Sequence, residues 1–474
     1  MPRAIQSGLV VLLLGLSALA SDFTARQRLA VLDLVTELDR HAIWCDRKGG
    51  LDLERDRACV LILAFDPDHK QARKFLGYRK DKRGRWERRK VYIEPTNRNR
   101  KRESEAVERG EEIRASFVHA ASTIWEIAGG ASTSAERQRL FRDVLRVDPD
   151  CRWAHERNDE VFRDDRWYLR ESPIAHQRNQ EIAAAARRAH AEGKTPVRAE
   201  VKQHERAIEL EWTDAYMGRT WRVAGTVPVG ELELMVRVAE AAPAVFDAGL
   251  GKGAHPGGER IIYLFSRDSE ATALLAAQSG IDEVERKRLA AIDEPSFWMV
   301  PGKVLVVCAG TPDQRAAATV MALYRTSLQA RFGIDRNQGW LWHGVPAYLC
   351  YQLTGVRQIA PDARSGNEQE AQWIDDLNKP GSNWRGITSR LLESRNAPAL
   401  DDVTGRAVDQ LDARGLLVSY ALAAYVIEAH PQRVGTILND LGKGRSADEV
   451  LRQHLGMDLE ALAIRLPRWL DEIR

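Results

Sequence analysis

The order of strand-like and helical segments in the second half of the chain limits its fold more than any other feature. Arg260–Ser266 (RIIYLFS) and Lys303–Ala309 (KVLVVCA) are short runs rich in β-branched and aromatic residues and read as strands. Trp221–Thr226 reads as another, and Phe297–Val300 precedes the last. An amphipathic helix, Glu231–Leu250, separates the first two strands. From Pro312 onward the period becomes helical: Pro312–Phe332, Trp342–Leu353, Leu416–His430, Val434–Leu441, Ala447–Leu455 and Leu459–Ile473. Strands first and helices afterwards predict an α+β domain over 212–474, a small sheet with a helical C-terminus.

A chain of 474 residues exceeds one ordinary core, and about 150 residues per unit suggests roughly three. Upstream, Thr24–Asp39 has apolar residues at helical spacing, and Leu51–Phe65 follows the Gly49-Gly50 break. Then FDPDHKQARKFLGYRKDKRGRWERR (Phe65–Arg89) and VDPDCRWAHERNDEVFRDDRWYLRE (Val147–Glu171) align as an internal repeat, about eighty residues apart. Each has Asp-Pro-Asp, an alanine four residues later, a charged turn and an Arg-Trp ending. The motif reads as a helix start, with Asp66 and Asp148 as N-caps and proline in the first turn. The copies resemble degenerate tetratricopeptide-like helical pairs of exported bacterial proteins. That resemblance implies a helical-repeat region over 21–173. The alanine-rich, charged stretch 174–211, interrupted at Gly193–Pro196, is expected to be a helical linker.

The N-terminus reads as a Sec-type signal peptide. Arg3 is its basic flank, Gly8–Leu19 its apolar core, and Ala18-Leu19-Ala20 a small-x-small cleavage site before Ser21, so 1–20 is expected to be removed. No later run is long enough to span a bilayer. The expected location is outside the cytoplasm, periplasmic or extracellular. A net charge of +2 excludes a global pull toward nucleic acid or membrane. One local exception is Arg79–Arg102, with twelve basic residues against three acids. It reads as a solvated loop, or alternatively as a contact for an anionic envelope polymer. The five cysteines form no CxxC or Cys/His knuckle, so a structural zinc cluster is not expected. Cys45 and Cys59 are close enough in sequence to bridge a helical hairpin; the competing expectation is small buried hydrophobes.

The C-terminal region also resembles a known catalytic domain. ERIIYLFSRDSEA (Glu259–Ala271), QGWLWHGVPAYL (Gln338–Leu349) and the ending from Tyr420 to Leu470 occur in the order seen in gluzincin-type zinc metallopeptidases, the peptidase MA-like group. The resemblance implies a long helix carrying H-E-x-x-H, whose two histidines bind zinc and whose glutamate acts as general base. It also implies a third ligand, a glutamate, in W-L-x-E-G-x-A-x-Y. Here the motif register falls on Met321–Arg325, and no histidine or glutamate occurs between Thr311 and Trp342. The third-ligand position holds His343, and Pro346 stands where a small residue is usual. One imidazole cannot supply a catalytic zinc site, which needs three protein ligands.

Other motifs are weaker. His155-Glu156 and His204-Glu205 begin HExx tetrads without a closing histidine and read as solvated helix residues. GLGKG (Gly249–Gly253) lacks the Ser or Thr of a phosphate loop and reads as a plain loop. The expectation is therefore an exported, non-catalytic binding or scaffolding protein of the cell envelope, a pseudo-metallopeptidase with no catalytic residues, metal or cofactor. His343, Tyr324, Arg325 and Tyr348 are candidates for a relict cleft, with Arg325 able to hold a carboxylate. Trp340, Leu341, Ala347 and Tyr348 read as packing residues at helical spacing. A protein or peptide partner would use the repeats or the cleft, and no specific nucleic acid is implied. The alternative is an active peptidase or hydrolase with a non-standard site around His343.

Overall fold

The computed structural model describes residues 31–80, 86–88, 121–124, 134–147, 151–164, 166–253, 259–277, 296–300, 303–308, 310–359, 368–394 and 397–473, with a few isolated positions between. The expected signal sequence, most of the Arg79–Arg102 run and the second Asp-Pro-Asp lie outside the described residues. Two compact units divide the chain, Met1–Trp167 and Tyr168–Arg474. Among the described residues, no helix is long and apolar enough to cross a membrane.

The first unit is helical. Residues 31–48 (α1), Asp52–Phe65 (α2), Lys70–Phe75 (α3), Ser134–Val147 (α4) and Arg152–Arg157 (α5) contribute to one apolar cluster that includes Leu38, Ile62, Leu140 and Val144. All five cysteines are free, and Cys45, Cys59 and Cys151 are buried here. Helix α3 leads into an antiparallel hairpin, Tyr78–Lys80 (β1) and Trp86–Arg88 (β2); α5 leads into the two-stranded sheet Glu160–Arg163 (β3) and Arg166–Leu169 (β4). Ala72 and Ala154 are both fully buried. At the same helical position, the Arg73 guanidinium lies 5.5 Å from the Trp86 ring, and the His155 ring stacks 4.2 Å from Trp167.

Two expectations are corrected here. Asp66 does not cap α3: it closes α2, and its Oδ1 accepts from the Asp68 N–H at 3.2 Å. The cap is His69, whose Nδ1 accepts from the Ala72 N–H at 3.3 Å. Pro67 and Asp68 are consumed by the turn between the two helices, so the cap falls at the next residue. His155 is not solvated; it is buried, with Nδ1 2.6 Å from the Glu160 carboxylate.

The second unit is the α+β domain. Its sheet has six strands in the order β5-β6-β7-β8-β10-β9: Val197–Ala199 (β5), Asp214–Met217 (β6), Trp221–Gly225 (β7), Arg260–Phe265 (β8), Ser296–Val300 (β9) and Val304–Cys308 (β10). Strands β7, β8 and β10 are parallel, with Trp221 beside Arg260 and Ile261 beside Val304; β6 and β9 pair antiparallel with β7 and β10, and β5 pairs antiparallel with β6 at one edge. The helices are Glu171–Glu192 (α6), Gln203–Arg206 (α7), Val229–Leu250 (α8), Asp268–Ala277 (α9), Pro312–Phe332 (α10), Gly339–Thr354 (α11), Glu368–Asn378 (α12), Trp384–Leu392 (α13), Leu400–Gly405 (α14), Ala413–Ala429 (α15), Val434–Gly442 (α16), Ala447–Leu455 (α17) and Leu459–Glu472 (α18). The bounds of α10 follow from local chemistry. Thr311 and Gln314 form a reciprocal capping box, Pro312 opens the first turn, and Gly333 at φ 73° ends the helix in a left-handed conformation.

Residues 174–211 are not a free linker. Helix α6 buries Ala175, Ile182 and Ala186 and packs on α8, α11 and α15, while β5 forms a sheet edge. Glu205, expected to be solvated, is fully buried, whereas His204 beside it is exposed. The Glu205 carboxylate accepts two hydrogen bonds of 2.6 Å from Arg222 on β7, one of 2.8 Å from the Tyr263 hydroxyl on β8, and one of 2.7 Å from the Lys202 N–H. Burial alone would raise its pKa; the bonds from Arg222 and Lys202 outweigh that and hold it below the usual carboxylate range. Removing one member of such a pair strands the other charge. Arg222→Ala is therefore expected to cost about 3–5 kcal/mol in urea denaturation, and Glu205→Leu combined with Arg222→Met far less.

Candidate functional site

The candidate residues lie on α10 and α11, which pack together, and α11 packs in turn against α15. Helix α11 crosses α15 at backbone distance. A Cβ on Gly344 would stand 2.2 Å from the Ser419 carbonyl oxygen, so only glycine fits. Trp340, Leu341, Ala347, Tyr348 and Leu349 are buried around that crossing, as their helical spacing predicts.

Pro346 sits inside α11. Proline has no N–H, so the carbonyl four residues back, on Trp342, loses its helical donor. Arg325 of α10 supplies one: its Nε donates to the Trp342 oxygen at 3.3 Å, and its guanidinium lies 5.9 Å from the Trp342 ring. The two departures from the metallopeptidase pattern, Arg325 and Pro346, are thus partners across one helix interface. The Nε of Arg325 is committed to this backbone group, which leaves less of its fork for the carboxylate expected from sequence.

His343 is 2% exposed, and its Nε2 has no hydrogen-bond partner. Burial, reinforced by the positive charge of Arg325, pulls its pKa down to about 3. The imidazole is therefore neutral in the folded protein at ordinary pH. Met321 and Ala322, at the first-ligand and base positions of the motif register, are buried and cannot ionise. Among the described residues, no three of His, Cys, Asp and Glu converge on a point where a metal ion could sit. The residues present do not fit the zinc that the resemblance implies.

The other two candidates face different neighbours. Tyr324 is about 100° round α10 from Arg325. Its ring stacks 5.9 Å from Phe246 of α8, and its buried hydroxyl has no hydrogen-bond partner. Tyr348 lies 6.2 Å from Tyr420, and its hydroxyl faces the buried Glu428. The structure brings together His343 and Arg325, then, but not all four.

Sequence reasoning missed the ion-pair clusters beneath these helices. Glu428 accepts from Arg385 and, at 2.7 Å, from Asn179. Burial opposes the charge on Arg385, but Glu428 overcomes it and leaves the guanidinium pKa above its usual value. Glu171 accepts from Arg465 at 2.5 and 2.6 Å and from the Tyr425 hydroxyl at 3.1 Å. These partners lie from 43 to 294 positions apart, so no local spacing announces them. Comparison with protein families, with curated proteins and with solved structures finds no match to this chain.

Two outcomes are expected. Arg325→Ala should destabilise by about 1 kcal/mol through the orphaned Trp342 carbonyl, and by measurably less in a Pro346→Ala background, where the helix regains its own donor. A double-mutant cycle in urea reads the coupling. The second outcome concerns pH. The folded pKa of His343 lies below its unfolded value of 6.5, so the unfolded chain binds the extra proton. The contribution is complete above pH 6.5 and is lost as pH falls toward 3, at up to about 1.4 kcal/mol per pH unit. The difference in unfolding free energy between wild type and His343→Leu, followed from neutral to acid pH, should carry that slope.

Proposed function

We propose that the second unit is a metallopeptidase-like domain whose zinc site has been exchanged for helix packing, and that the protein is an exported, non-catalytic binding or scaffolding protein of the cell envelope. The observation that carries this reading is the bond from Arg325 to the Trp342 carbonyl. A position that would hold the second zinc ligand instead repairs the backbone break made by Pro346. A ligand position turned to backbone repair serves the stability of the domain, not a reaction.

A cleft that no longer cuts can still hold a peptide-like segment. Strand β9 ends the sheet, and α10 packs against both β9 and β10. An edge strand offers unpaired N–H and C=O groups to an extended chain, so an extended peptide laid along β9 is the partner this domain would take. The buried His343 does not favour the hydrolase alternative. Its charged neighbour is the cation of Arg325, whereas a general base is normally oriented by a carboxylate. Export rests on the apolar core and small-x-small site at the N-terminus.

Elemental analysis of protein purified without chelator tests the central claim. The expected result is no stoichiometric zinc and no chelator-sensitive peptide cleavage. One zinc per chain, lost together with peptidase activity in His343→Ala, would establish the active-enzyme alternative instead.

A further inference from the structure

A cavity of ≈ 90 Å³ opens where the first residues of β7 and β8 meet α8 and α10. Much of its wall is apolar, formed by Ala239, Ala242, Pro243, Leu323 and the rings of Trp221 and Tyr324. The polar lining consists of Thr220, Glu240, His255, Arg260 and Ser327. Arg260 is the anomaly. It is only 8% exposed, its Nε has no hydrogen-bond partner, and its side chain forms no ion pair among the described residues. Its guanidinium has the face of Trp221, 5.3 Å away, as its company.

The acids nearby are engaged elsewhere. Glu259 pairs with Lys202 at 3.5 Å, and Asp247 lies 3.0 Å from His255 and 3.8 Å from Arg331. Glu240 Oε1 accepts from the N–H groups of Thr220 and Trp221 at 2.6 and 2.9 Å. Ser327 donates to the Leu323 carbonyl at 3.0 Å. A buried cation without a counter-charge is costly, and elsewhere in this unit Arg222, Arg385 and Arg465 all have carboxylates. Burial, acting without an opposing carboxylate, pulls the pKa of Arg260 below its ordinary value. The Tyr324 hydroxyl is a second buried, unpartnered donor lining the same space.

We propose that this cavity binds a small monocarboxylate with an apolar tail, the carboxylate taken by Arg260 and the tail held among Trp221, Pro243 and Leu323. An arginine fork matches a carboxylate in two parallel hydrogen bonds. The volume suits a short aliphatic acid and is small for an aromatic one. Glu240 in the wall disfavours a dianion such as phosphate. The site uses a different face of α10 from Arg325, does not involve His343, and is independent of the metallopeptidase-like reading.

Isothermal titration of the full chain with butyrate, benzoate and inorganic phosphate tests the assignment. The expected result is saturable one-to-one binding of butyrate, weaker binding of benzoate and none of phosphate. Arg260→Gln should weaken that binding about tenfold or more, and Tyr324→Phe severalfold. Circular dichroism establishes that each variant is folded. Should Arg260→Gln fail to fold, Arg260→Lys keeps the charge without the fork and should still bind markedly more weakly. Absence of saturable carboxylate binding by the wild type, equal binding by the folded Arg260 variant, or phosphate binding as tight as butyrate would overturn the proposal.

Discussion

Gly344 on α11 meets the Ser419 carbonyl on α15 at backbone distance, with no room for a Cβ between them. Much else depends on it. With no side chain between them, the two helices can bury Trp340, Tyr348, Tyr420 and Ala423 around the crossing. Fixing α11 in depth also fixes its rotation. One face then meets α15 while the Trp342 carbonyl meets α10, close enough for Arg325 to reach it. At the start of α11, the Gly339 N–H donates to the Arg406 carbonyl, and a Cβ there would stand 2.6 Å from the Val408 nitrogen. Two glycines therefore set the placement of the helix that carries His343.

Charge is buried around this core under strict conditions. Glu171 with Arg465, Glu428 with Arg385, Glu205 with Arg222 and Glu231 with Arg315 each join separate elements. Desolvation makes every one of these ions expensive alone, and the energetic return is modest even when they are paired. Their value lies in what they forbid: a shifted helix register would leave a charge unpaired in an apolar interior. Against that pattern, an arginine with an aromatic ring and no carboxylate stands out, and so does a buried imidazole whose Nε2 faces no donor or acceptor. One lines a cavity; the other lies within a packed helix interface.

That contrast bears on function. The residues that the resemblance assigns to metal binding are dispersed into packing, backbone repair and a depressed imidazole. Arg260 on β8 and Tyr324 on α10, two of the groups left with unspent hydrogen-bonding capacity, share a cavity instead. Fold and binding chemistry are separable in this unit, because glycines, caps and ion pairs away from that cavity hold the helices in place.

The sequence by itself determined the α+β class, the exact span Pro312–Phe332, and the packing roles of Trp340, Leu341, Ala347 and Tyr348. Periodicity, a capping box and a terminal glycine are local signals, and local signals survive in one dimension. It also determined that the helix at 312–332 carries no histidine or glutamate. Several features were decided only by tertiary structure. Residues 174–211 looked like a solvated linker because alanine and charge dominate them, yet Glu205 is the anchor of a buried ion pair whose partners, Arg222 and Tyr263, come from later strands. Strands β5 and β6 are not apparent in the sequence, since short antiparallel strands lack a long apolar run. Arg325 and Pro346 read as two unrelated departures from a motif until the helices were seen side by side. A lost N–H on one helix and a donor on another become a pair only when packing brings them within 3.3 Å, and no spacing along the chain encodes that distance.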